Sequence, residues 1–273
     1  MARFETTPFL KWPGGKRWLV AKYSHYIPRC FQRYFEPFLG SAAMFFYLQP
    51  PQAVLSDINS DLITLYRVMR DNHLELAQVM QMHQELHCKD YYYLVRSQHY
   101  DNPIQSAGRF LYLNRMCYNG MYRVNKFGHF NVPIGTKQNC IFDLHQFSAY
   151  SMSLKNVEIC SCDFNKTIDR AGNDDFIFVD PPYTISHNQN SFIKYNEQLF
   201  TWSDQQRLLK TLCAARSRGA KIIATNANYD AIKTMYADSG FFIKPLKRFS
   251  VMSAKAEKRQ EQEELLISSN RLD

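Results

Sequence analysis

The sequence predicts an α/β fold in which short buried strands alternate with amphipathic helices. Apolar runs of four or five residues, such as 176–179, recur towards both ends of the chain and are bounded by turn residues. Helical periodicity follows most of these runs, whereas the stretch 61–99 is helical throughout. At 273 residues the chain is long enough for one large domain or for a domain with a sizeable insert.

Composition restricts the partners and the compartment. The net charge of +8 suits a polyanionic partner, although plain solubility explains it as well. The seven cysteines form an odd set without a Cys-X-X-Cys pair, so we expect reduced thiols and neither a disulfide scaffold nor a zinc site. We see no signal-like N-terminus and no apolar run of membrane-spanning length, and therefore expect a cytoplasmic protein without a membrane segment.

One stretch places reactive side chains directly after a predicted strand. The run 176–179 is apolar throughout, and Pro181 and Pro182 then prevent further regular pairing. Asp180 and Tyr183 are thereby delivered to the carboxyl edge of the sheet, where ligands of open α/β sheets bind. There, a carboxylate and a proline carbonyl can accept the two N–H groups of a nucleobase amine, while a tyrosine stacks on the base. A strand-ending turn beside a core tyrosine explains the four residues equally well.

A Pro-Gly-Gly turn near the start of the chain can bring backbone amides close to a ligand. Trp12 can pack on an apolar group there, and Lys16 can neutralise a carboxylate. A basic turn that leads into a helix over 18–26 explains the same residues and, taken alone, is the simpler interpretation.

A strand, a small-residue turn and a helix follow one another over 34–48. The turn contains the single glycine Gly40 where a dinucleotide fingerprint has three, which favours an adenosyl group without a pyrophosphate. The next strand, 53–56, ends in Asp57, 17 positions after Gly40, where an acid commonly accepts hydrogen bonds from ribose hydroxyls. Asp57 and Asn59 are also suited to cap the helix that follows.

The helical stretch 61–99 contains a superficial metal motif. His83, Glu85 and His87 resemble the helical zinc pattern of metalloproteases, but that pattern has its Glu directly after the first His. We therefore expect a solvated helix face here and no metal.

A candidate hairpin follows the helices. Asn119-Gly120 and the stretch 125–129 are turn signals, and basic side chains alternate with aromatic ones between 118 and 135. Arginine can form two hydrogen bonds with guanine, and proline or methionine can touch a thymine methyl group. Tyrosine can take the place in the base stack that a flipped base has left. The pattern favours contact with a DNA groove over an ordinary surface loop.

Strands and helices resume after about residue 138. The run 157–160 is a predicted strand, and Asp163 and Phe164 after it could receive the adenine of a cofactor or could be turn and core. The polar stretch 184–196 is long enough to act as a lid.

The last third of the chain is predicted to add one helix and three strands. Ser203 is the predicted N-cap of a helix over 204–218 that stops at Gly219. A buried strand at 220–224 precedes a predicted hairpin, whose strands are 241–246 and 264–267. The loop between them suits phosphate contacts or a solvated surface, and its cations are Lys247, Arg248, Lys255, Lys258 and Arg259.

Five motifs, in this order, resemble those of the Dam family of DNA N6-adenine methyltransferases. They are Lys-Trp-Pro-Gly-Gly-Lys at 11–16, Glu-Pro-Phe-Leu-Gly at 36–40, Asp-Ile-Asn-Ser-Asp-Leu-Ile at 57–63, Asn-Gly…Arg…Phe-Asn-Val-Pro within 119–133, and Asp-Pro-Pro-Tyr at 180–183. Cofactor motifs come first, a recognition insert next and the catalytic tetrapeptide last, as in the α class of amino-methyltransferases. The resemblance covers nearly the whole chain.

The resemblance implies a Rossmann-like, S-adenosylmethionine-dependent methyltransferase domain with a mixed seven-stranded sheet, formed by 1–60 and 145–273. A mostly helical target-recognition domain, which carries the hairpin, would occupy 61–144. The implied activity is methyl transfer to a flipped adenine in double-stranded DNA, within GATC, by a monomer that needs no metal. The catalytic residues would be Asp180, Pro181, Pro182 and Tyr183.

The resemblance also implies binding residues. Those for the cofactor would be Trp12, Lys16, Phe38, Gly40, Asp57, Asp163, Phe164 and Asp180. Those for DNA would be Lys11, Tyr118, Asn119, Met121, Arg123, Asn131, Pro133 and Lys137. Two positions depart from the family pattern, since Lys137 stands where close relatives have an aromatic residue and Pro13 replaces a small one.

Two other classes of function are compatible with parts of the sequence. The Asp-Pro-Pro-Tyr device also serves methyltransferases of RNA or of protein amide nitrogens, although the large basic insert argues against them. A DNA-binding module of the same fold without activity is the second alternative, but it would not need intact cofactor motifs.

Overall fold

The centre of the protein is a mixed sheet of seven strands, which confirms the predicted α/β class. The computed structural model describes residues 7–125, 128–137, 143, 145–183, 200–249 and 261–272. In chain order the strands are β1 (Tyr34–Glu36), β2 (Ala53–Asp57), β3 (Val157–Ser161), β4 (Phe176–Val179), β5 (Lys221–Ala227), β6 (Phe242–Phe249) and β7 (Glu261–Ser268). They lie in the order β3-β2-β1-β4-β5-β7-β6. β1 is parallel to β2 and β4, and β4 is parallel to β5, whereas β7 is antiparallel to β5 and β6.

Helices fill most of the sequence between these strands. Those of the described residues are α1 (Arg17–Tyr23), α2 (Ala43–Leu48), α3 (Ser60–Asp71), α4 (His73–Glu85), α5 (Lys89–Ser97), α6 (Pro103–Met116), α7 (Gln146–Leu154), α8 (Phe164–Ile168), α9 (Trp202–Ser217) and α10 (Asp230–Asp238). The predicted helical stretch 61–99 is therefore confirmed as α3, α4 and α5. Asn59 accepts from the backbone N–H of Leu62 and caps α3, while Asp57 is the last residue of β2.

The described chain forms two compact units. The first contains the chain up to Val20, Gly40–Gln49 and Asn59–Ser161, and the second contains Ala21–Leu39, Pro50–Ile58 and the chain from Cys162 onwards. Phe9 packs against Phe46, Tyr66 and Tyr150 in the core of the first unit. The predicted division into a catalytic domain and an insert over 61–144 stays a prediction.

The hydrophobic core of the second unit fixes the position of the carboxyl end of β4. Ile177 and Val179 of β4 are buried together with Leu208 and Leu212 of α9 and with Ile267 of β7. All four residues of β4 are buried, as expected for a strand at the centre of a parallel sheet with both faces covered. Because the strand is fixed by this packing, the residues that follow it start from a rigid position.

The start of α9 differs from the prediction. Thr201, and not Ser203, is the N-cap: its hydroxyl accepts from the backbone N–H of Asp204 at 3.2 Å, and the Asp204 carboxylate accepts from the backbone N–H of Thr201 at 2.9 Å. This reciprocal capping box satisfies two backbone donors at once, whereas Ser203 already lies in the first turn. The predicted stop at Gly219 is confirmed to within one residue, since α9 ends at Ser217 and Gly219, which follows the C-cap Arg218, has a positive φ of 91°.

The predicted solvated face at His83 is wrong. The imidazole is only 2% exposed, and its Nδ1 lies 2.8 Å from the hydroxyl of Tyr91. Burial follows from the close approach of α4 and α6, because a Cβ on Gly108 would lie 2.3 Å from Val79. Among the residues described by the structure, no cluster of His, Cys, Asp or Glu is arranged to hold a metal.

Buried His83 should make the stability of the protein depend on pH. Burial lowers its pKa from 6.5 to about 4, so between these values the unfolded chain binds a proton that the folded chain does not. Stability from this residue is present above pH 6.5 and is lost as the pH falls towards 4. We expect the free energy of unfolding, measured in urea, to fall by about 2 kcal/mol from this residue between pH 7.5 and 5.

The variants His83→Gln and His99→Gln provide the comparison, because His99 is exposed in the same unit. We expect His83→Gln alone to flatten the pH dependence. Equal pH dependence in both variants would contradict the assignment.

The predicted C-terminal hairpin is confirmed as β6 and β7, but two of the cations expected in its loop, Lys247 and Arg248, lie in β6. The side chain of Arg248 is 12% exposed and is ion-paired with Glu264, so its predicted place in a solvated loop is wrong. Lys255, Lys258 and Arg259 lie outside the described residues, as does the predicted lid at 184–196.

The structure also bears on the cysteines and on the expectation of no membrane segment. The described cysteines, which exclude Cys140, are all free. None of the helices in the described ranges has the length and apolar character needed to cross a membrane.

Candidate active site

The carboxyl edge of the parallel strands carries three of the predicted site residues. β2, β1 and β4 are neighbours that run in the same direction, so their carboxyl ends lie at one edge of the sheet. Asp57 is the last residue of β2, Phe38 follows β1 by two residues, and Asp180 directly follows β4. This edge is where open α/β sheets bind ligands.

The Asp180 carboxylate is held by the neighbouring strand. Val179 of β4 lies opposite Ala224 of β5, so Asp180 and Thr225 come next to each other. The buried hydroxyl of Thr225 donates to Oδ1 of Asp180 at 2.7 Å. A hydrogen bond from a buried hydroxyl fixes the orientation of the carboxylate without neutralising it.

Tyr183 is anchored through its hydroxyl. It donates to Oε2 of Glu264 at 2.7 Å, and Glu264 of β7 is only 3% exposed. Burial, with the negative charges of Asp180 and Glu264, raises the pKa of Tyr183 well above its ordinary value, so the side chain stays a phenol and a donor. Sequence reasoning did not select Glu264, whose only signal is its place directly before the apolar residues of β7.

An aromatic cluster lies beside the edge in the second unit. The rings of Phe38 and Phe164 stack with centroids 5.4 Å apart, and the guanidinium of Arg207 lies 4.1 Å from the Phe164 ring centre. Arg207 also holds both oxygens of Asp163, at 2.7 and 3.0 Å, and this contact lowers the pKa of Asp163. Phe164 is buried while Phe38 is half-buried, so Phe38 presents the more accessible ring.

Asp163 has a structural role as well. Its carboxylate accepts from the backbone N–H of Asn165 and caps α8, so the turn-and-core interpretation of Asp163 and Phe164 holds in the structure. Sequence reasoning missed Arg207, which lies 44 positions from Asp163 on a different helix.

The Pro-Gly-Gly turn lies in the first unit and brings Trp12 against Gly40. A Cβ on Gly40 would come within 2.9 Å of the Trp12 indole, and Gly40 has a positive φ of 46°. Both facts require glycine at this turn. Lys16, 3% exposed, donates its ammonium to the carbonyl of Gly14 at 2.7 Å.

Trp12 also stacks on the hairpin. Its ring centre lies 5.5 Å from that of Tyr122 at an interplanar angle of 20°, and Tyr122 stacks in turn on Phe110 at 5.0 Å. Sequence reasoning noted the aromatic content of this segment but did not select Tyr122. The stack links a predicted cofactor residue to the predicted DNA hairpin within one unit.

The predicted hairpin is present as a turn with isolated bridges. Cys117 pairs with Ile134 and Val124 with Phe130, both antiparallel, and the described residues between them form no regular strand. The predicted turn at Asn119-Gly120 is a short 3-10 turn, in which Asn119 and Gly120 have φ values of 55° and 64°. Tyr118, Asn119, Arg123 and Pro133 are exposed.

The return segment of the hairpin is fixed to the helices. Val132 is buried, and its carbonyl accepts from the Tyr92 hydroxyl at 2.9 Å and from Arg96 at 3.3 Å. Across the hairpin, Nε of Arg123 donates to Oδ1 of Asn131 at 2.9 Å. Arg123 is therefore oriented on a fixed base.

Lys11 is brought to the same hairpin. The side chain of Asn114 bonds both the backbone N–H and the carbonyl of Lys11, at 3.0 and 2.7 Å. Gly120 packs so closely on Lys11 that a Cβ would lie 2.5 Å from its side chain. Burial lowers the pKa of Lys11, and the nearby charges of Lys137 and Arg115 lower it further. The predicted DNA residues Lys11 and Lys137 thus lie close together.

A cavity of about 770 Å³ opens beside the hairpin, and its lining includes Arg96, Arg109, Tyr122, His129 and Asn131. The lining contains none of the residues predicted for the cofactor or for catalysis. The cavity therefore belongs to the hairpin region of the first unit.

The chain is similar in sequence to several bacterial and phage proteins named as methyltransferases or methylases. The chain is 34% identical to the type II methyltransferase M1.LlaDCHI of Lactococcus lactis subsp. cremoris, over 96% of this chain and 95% of that protein. It is 31% identical to the DNA adenine methylase of Haemophilus influenzae, over 95% and 92% of the two chains. It is 35% identical to the DNA N-6-adenine-methyltransferase of Escherichia phage P1, over 94% of this chain and 34% of that longer protein.

The family profile described as D12 class N6 adenine-specific DNA methyltransferase matches residues 12–256. This range includes every residue predicted for catalysis or cofactor binding and all those predicted for DNA except Lys11. The chain therefore belongs to the D12 class of N6 adenine-specific DNA methyltransferases.

Proposed function

We propose that this protein transfers a methyl group from S-adenosylmethionine to the N6 amine of a flipped adenine in duplex DNA, within GATC. The observation that carries the proposal is the oriented carboxylate of Asp180, held by Thr225 at the carboxyl end of β4. Tyr183, three residues further on, is fixed at the same edge by Glu264.

The proposed chemistry uses positioning more than proton transfer. The lone pair of an exocyclic amine is delocalised into the ring, so the amine has to be aimed and polarised. Asp180 accepts one N–H and the carbonyl of Pro181 accepts the other, which directs the nitrogen lone pair away from both. The ring of Tyr183 provides a stacking face for the base after it leaves the helix.

The residues present fit S-adenosylmethionine, which supplies a methyl group on a sulfonium sulfur when bound. The half-buried ring of Phe38 offers a face for the adenine, and Asp57 at the end of β2 can accept from ribose hydroxyls. The buried ammonium of Lys16 suits the carboxylate of the methionine part.

The hairpin residues support duplex DNA as the substrate. Arg123 is exposed and is oriented by Asn131. Lys11 and Lys137 lie close together in the same unit and concentrate positive charge there. We propose that residues 61–144 act as the target-recognition domain and that the protein works as a monomer in the cytoplasm.

The direct test is incubation with S-adenosylmethionine labelled on its methyl group and with matched substrates. These are duplexes that contain GATC or a scrambled site, single-stranded RNA, and a protein extract. We expect label only in the GATC duplex, recovered as N6-methyladenine and confirmed by nucleases sensitive to adenine methylation. Label in RNA or protein, or none at all, would overturn the proposal in favour of the two alternative classes.

Gly40→Ala should weaken binding of the cofactor. The new Cβ would displace Trp12, and the positive φ adds strain of about 1–3 kcal/mol. We expect the Kd for S-adenosylmethionine, measured by calorimetry, to rise by about tenfold, which corresponds to about 1.4 kcal/mol.

Gly172→Ala is the matched control, because a Cβ there meets no atom of the described part of the chain within 4 Å. Its Kd should stay at the wild-type value. Equal affinities in the two variants would exclude Trp12 and Gly40 from the cofactor site.

A further inference from the structure

Tyr183, which is half-buried, is the first member of a chain of three linked side chains. Its hydroxyl donates to one oxygen of Glu264, and the other oxygen of Glu264 is ion-paired with Nε of Arg248. Glu264 is 3% exposed and Arg248 is 12% exposed at their side chains. A carboxylate in such a place is costly unless it is paired and hydrogen-bonded, and here it has both kinds of partner.

The register of the sheet explains why these groups meet. Glu264 of β7 lies opposite Ala227 of β5 and opposite Leu246 of β6. Because side chains alternate along a strand, Thr225 and Arg248, each two residues from these partners, lie on the same face as Glu264. One face of β5, β7 and β6 therefore presents the group that orients Asp180 and the groups that anchor Tyr183.

The two prolines make the anchoring effective. Pro181 and Pro182 restrict the backbone before Tyr183, and the hydrogen bond to Glu264 holds the far end of the ring. With both ends constrained, the ring has little freedom to rotate away from the edge where Asp180 lies.

We propose that Glu264, supported by Arg248, is a positioning residue for methyl transfer: it fixes the ring of Tyr183 as the stacking face for the target base. The proposal rests on the proposed function, since it assigns Glu264 a role through Tyr183. Glu264 touches no substrate in this mechanism, and its effect passes through the orientation of the ring.

The test compares Tyr183→Phe, Glu264→Gln and the double variant. Tyr183→Phe keeps the stacking ring and the pair of Glu264 with Arg248, and it removes the hydroxyl that donates to Glu264 and also contacts Thr225. We expect each single variant to lower kcat by about tenfold or more, with the KM for S-adenosylmethionine unchanged. We expect the double variant to be no slower than the slower single variant, because both remove the same contact.

A duplex with 2-aminopurine in place of the target adenine gives a second readout. Stacking on Tyr183 quenches the fluorescence of the flipped base, so both single variants should give a brighter complex than the wild type. Tyr236→Phe is the matched control, since Tyr236 is a buried tyrosine of the same unit whose hydroxyl has no hydrogen-bond partner among the residues that the structure describes. It should match the wild type in kcat and in fluorescence.

The outcomes separate the two proposals. If the wild type does not methylate adenine in DNA, the proposed function fails. If the wild type is active and Tyr183→Phe keeps the wild-type kcat and fluorescence, the positioning role is overturned, even if Glu264→Gln does not fold. A fall in thermal stability of Glu264→Gln at wild-type kcat also overturns it, because the carboxylate would then serve the fold alone.

Discussion

Asp180→Ala is expected to lower kcat for adenine methylation by about a hundredfold to a thousandfold. The variant loses the acceptor that aims the target amine, and it leaves the buried hydroxyl of Thr225 without the carboxylate it bonds at 2.7 Å. Asp180 is only partly buried and follows the strand, so the core around β4 should keep its packing. Single-turnover assays with a GATC duplex measure the rate, and circular dichroism checks the fold.

Thr225→Val provides a graded comparison. It keeps the volume and the β-branched shape of the side chain but removes the hydroxyl that orients Asp180. We expect a smaller loss, about tenfold in kcat, with the same DNA affinity. If Asp180→Ala methylates at the wild-type rate, the assignment of Asp180 is wrong. If Thr225→Val equals the wild type, the orientation of the carboxylate is not limiting.

Arg123→Ala is expected to relax the choice of one base pair by about 1–3 kcal/mol. Arg123 is exposed on the hairpin and is oriented by the side chain of Asn131, so its guanidinium can reach a base edge at little cost in entropy. Methylation rates on duplexes with single substitutions in the site measure the effect. We expect the ratio of kcat/KM between correct and substituted sites to fall at one position only.

Lys137→Ala is the contrasting variant for the same hairpin region. A lysine that contacts phosphate should weaken binding to all duplexes by a similar factor and reduce the salt dependence of binding. If Arg123→Ala also weakens all sites equally, Arg123 contacts the backbone and does not read a base.

The placement of the reactive stretch was predictable because local signals agree. Four apolar residues followed by Asp180 and two prolines favour a buried strand that stops, and β4 ends at Val179 as this pattern predicts. The same holds for β2 and for the helix start at Asn59. In each case the evidence lies within about ten residues of sequence.

The partners of the reactive residues could not be predicted, because they are distant in the chain. Thr225 lies 45 positions from Asp180, and Glu264 lies 81 positions from Tyr183. In the sequence, Glu264 stands in a run of charged residues, where a solvated face is the natural interpretation. Only the pairing of β7 with β5 and β6 shows that it points into a buried environment.

Tertiary packing also overrode two local patterns. His83 is polar and lies on a helix rich in polar residues, yet Gly108 lets α6 approach and bury it. Tyr122 stands among hairpin residues predicted to face DNA, yet it stacks on Trp12 from the start of the chain. A pattern within one element cannot reveal which neighbour covers it.

β7 is the last of the described strands to be synthesised, so the part of the sheet that anchors Tyr183 is completed only late in translation. β7 follows the other described strands in the chain but lies between β5 and β6, so a nascent chain that has reached residue 250 leaves two strands without their common neighbour. Unpaired strand edges promote association with other chains. Glu264 also arrives only with β7, so a prematurely terminated product would be prone to aggregate and would lack the anchor of Tyr183. Translation must therefore pass residue 268 before a competent methyltransferase exists in the cell.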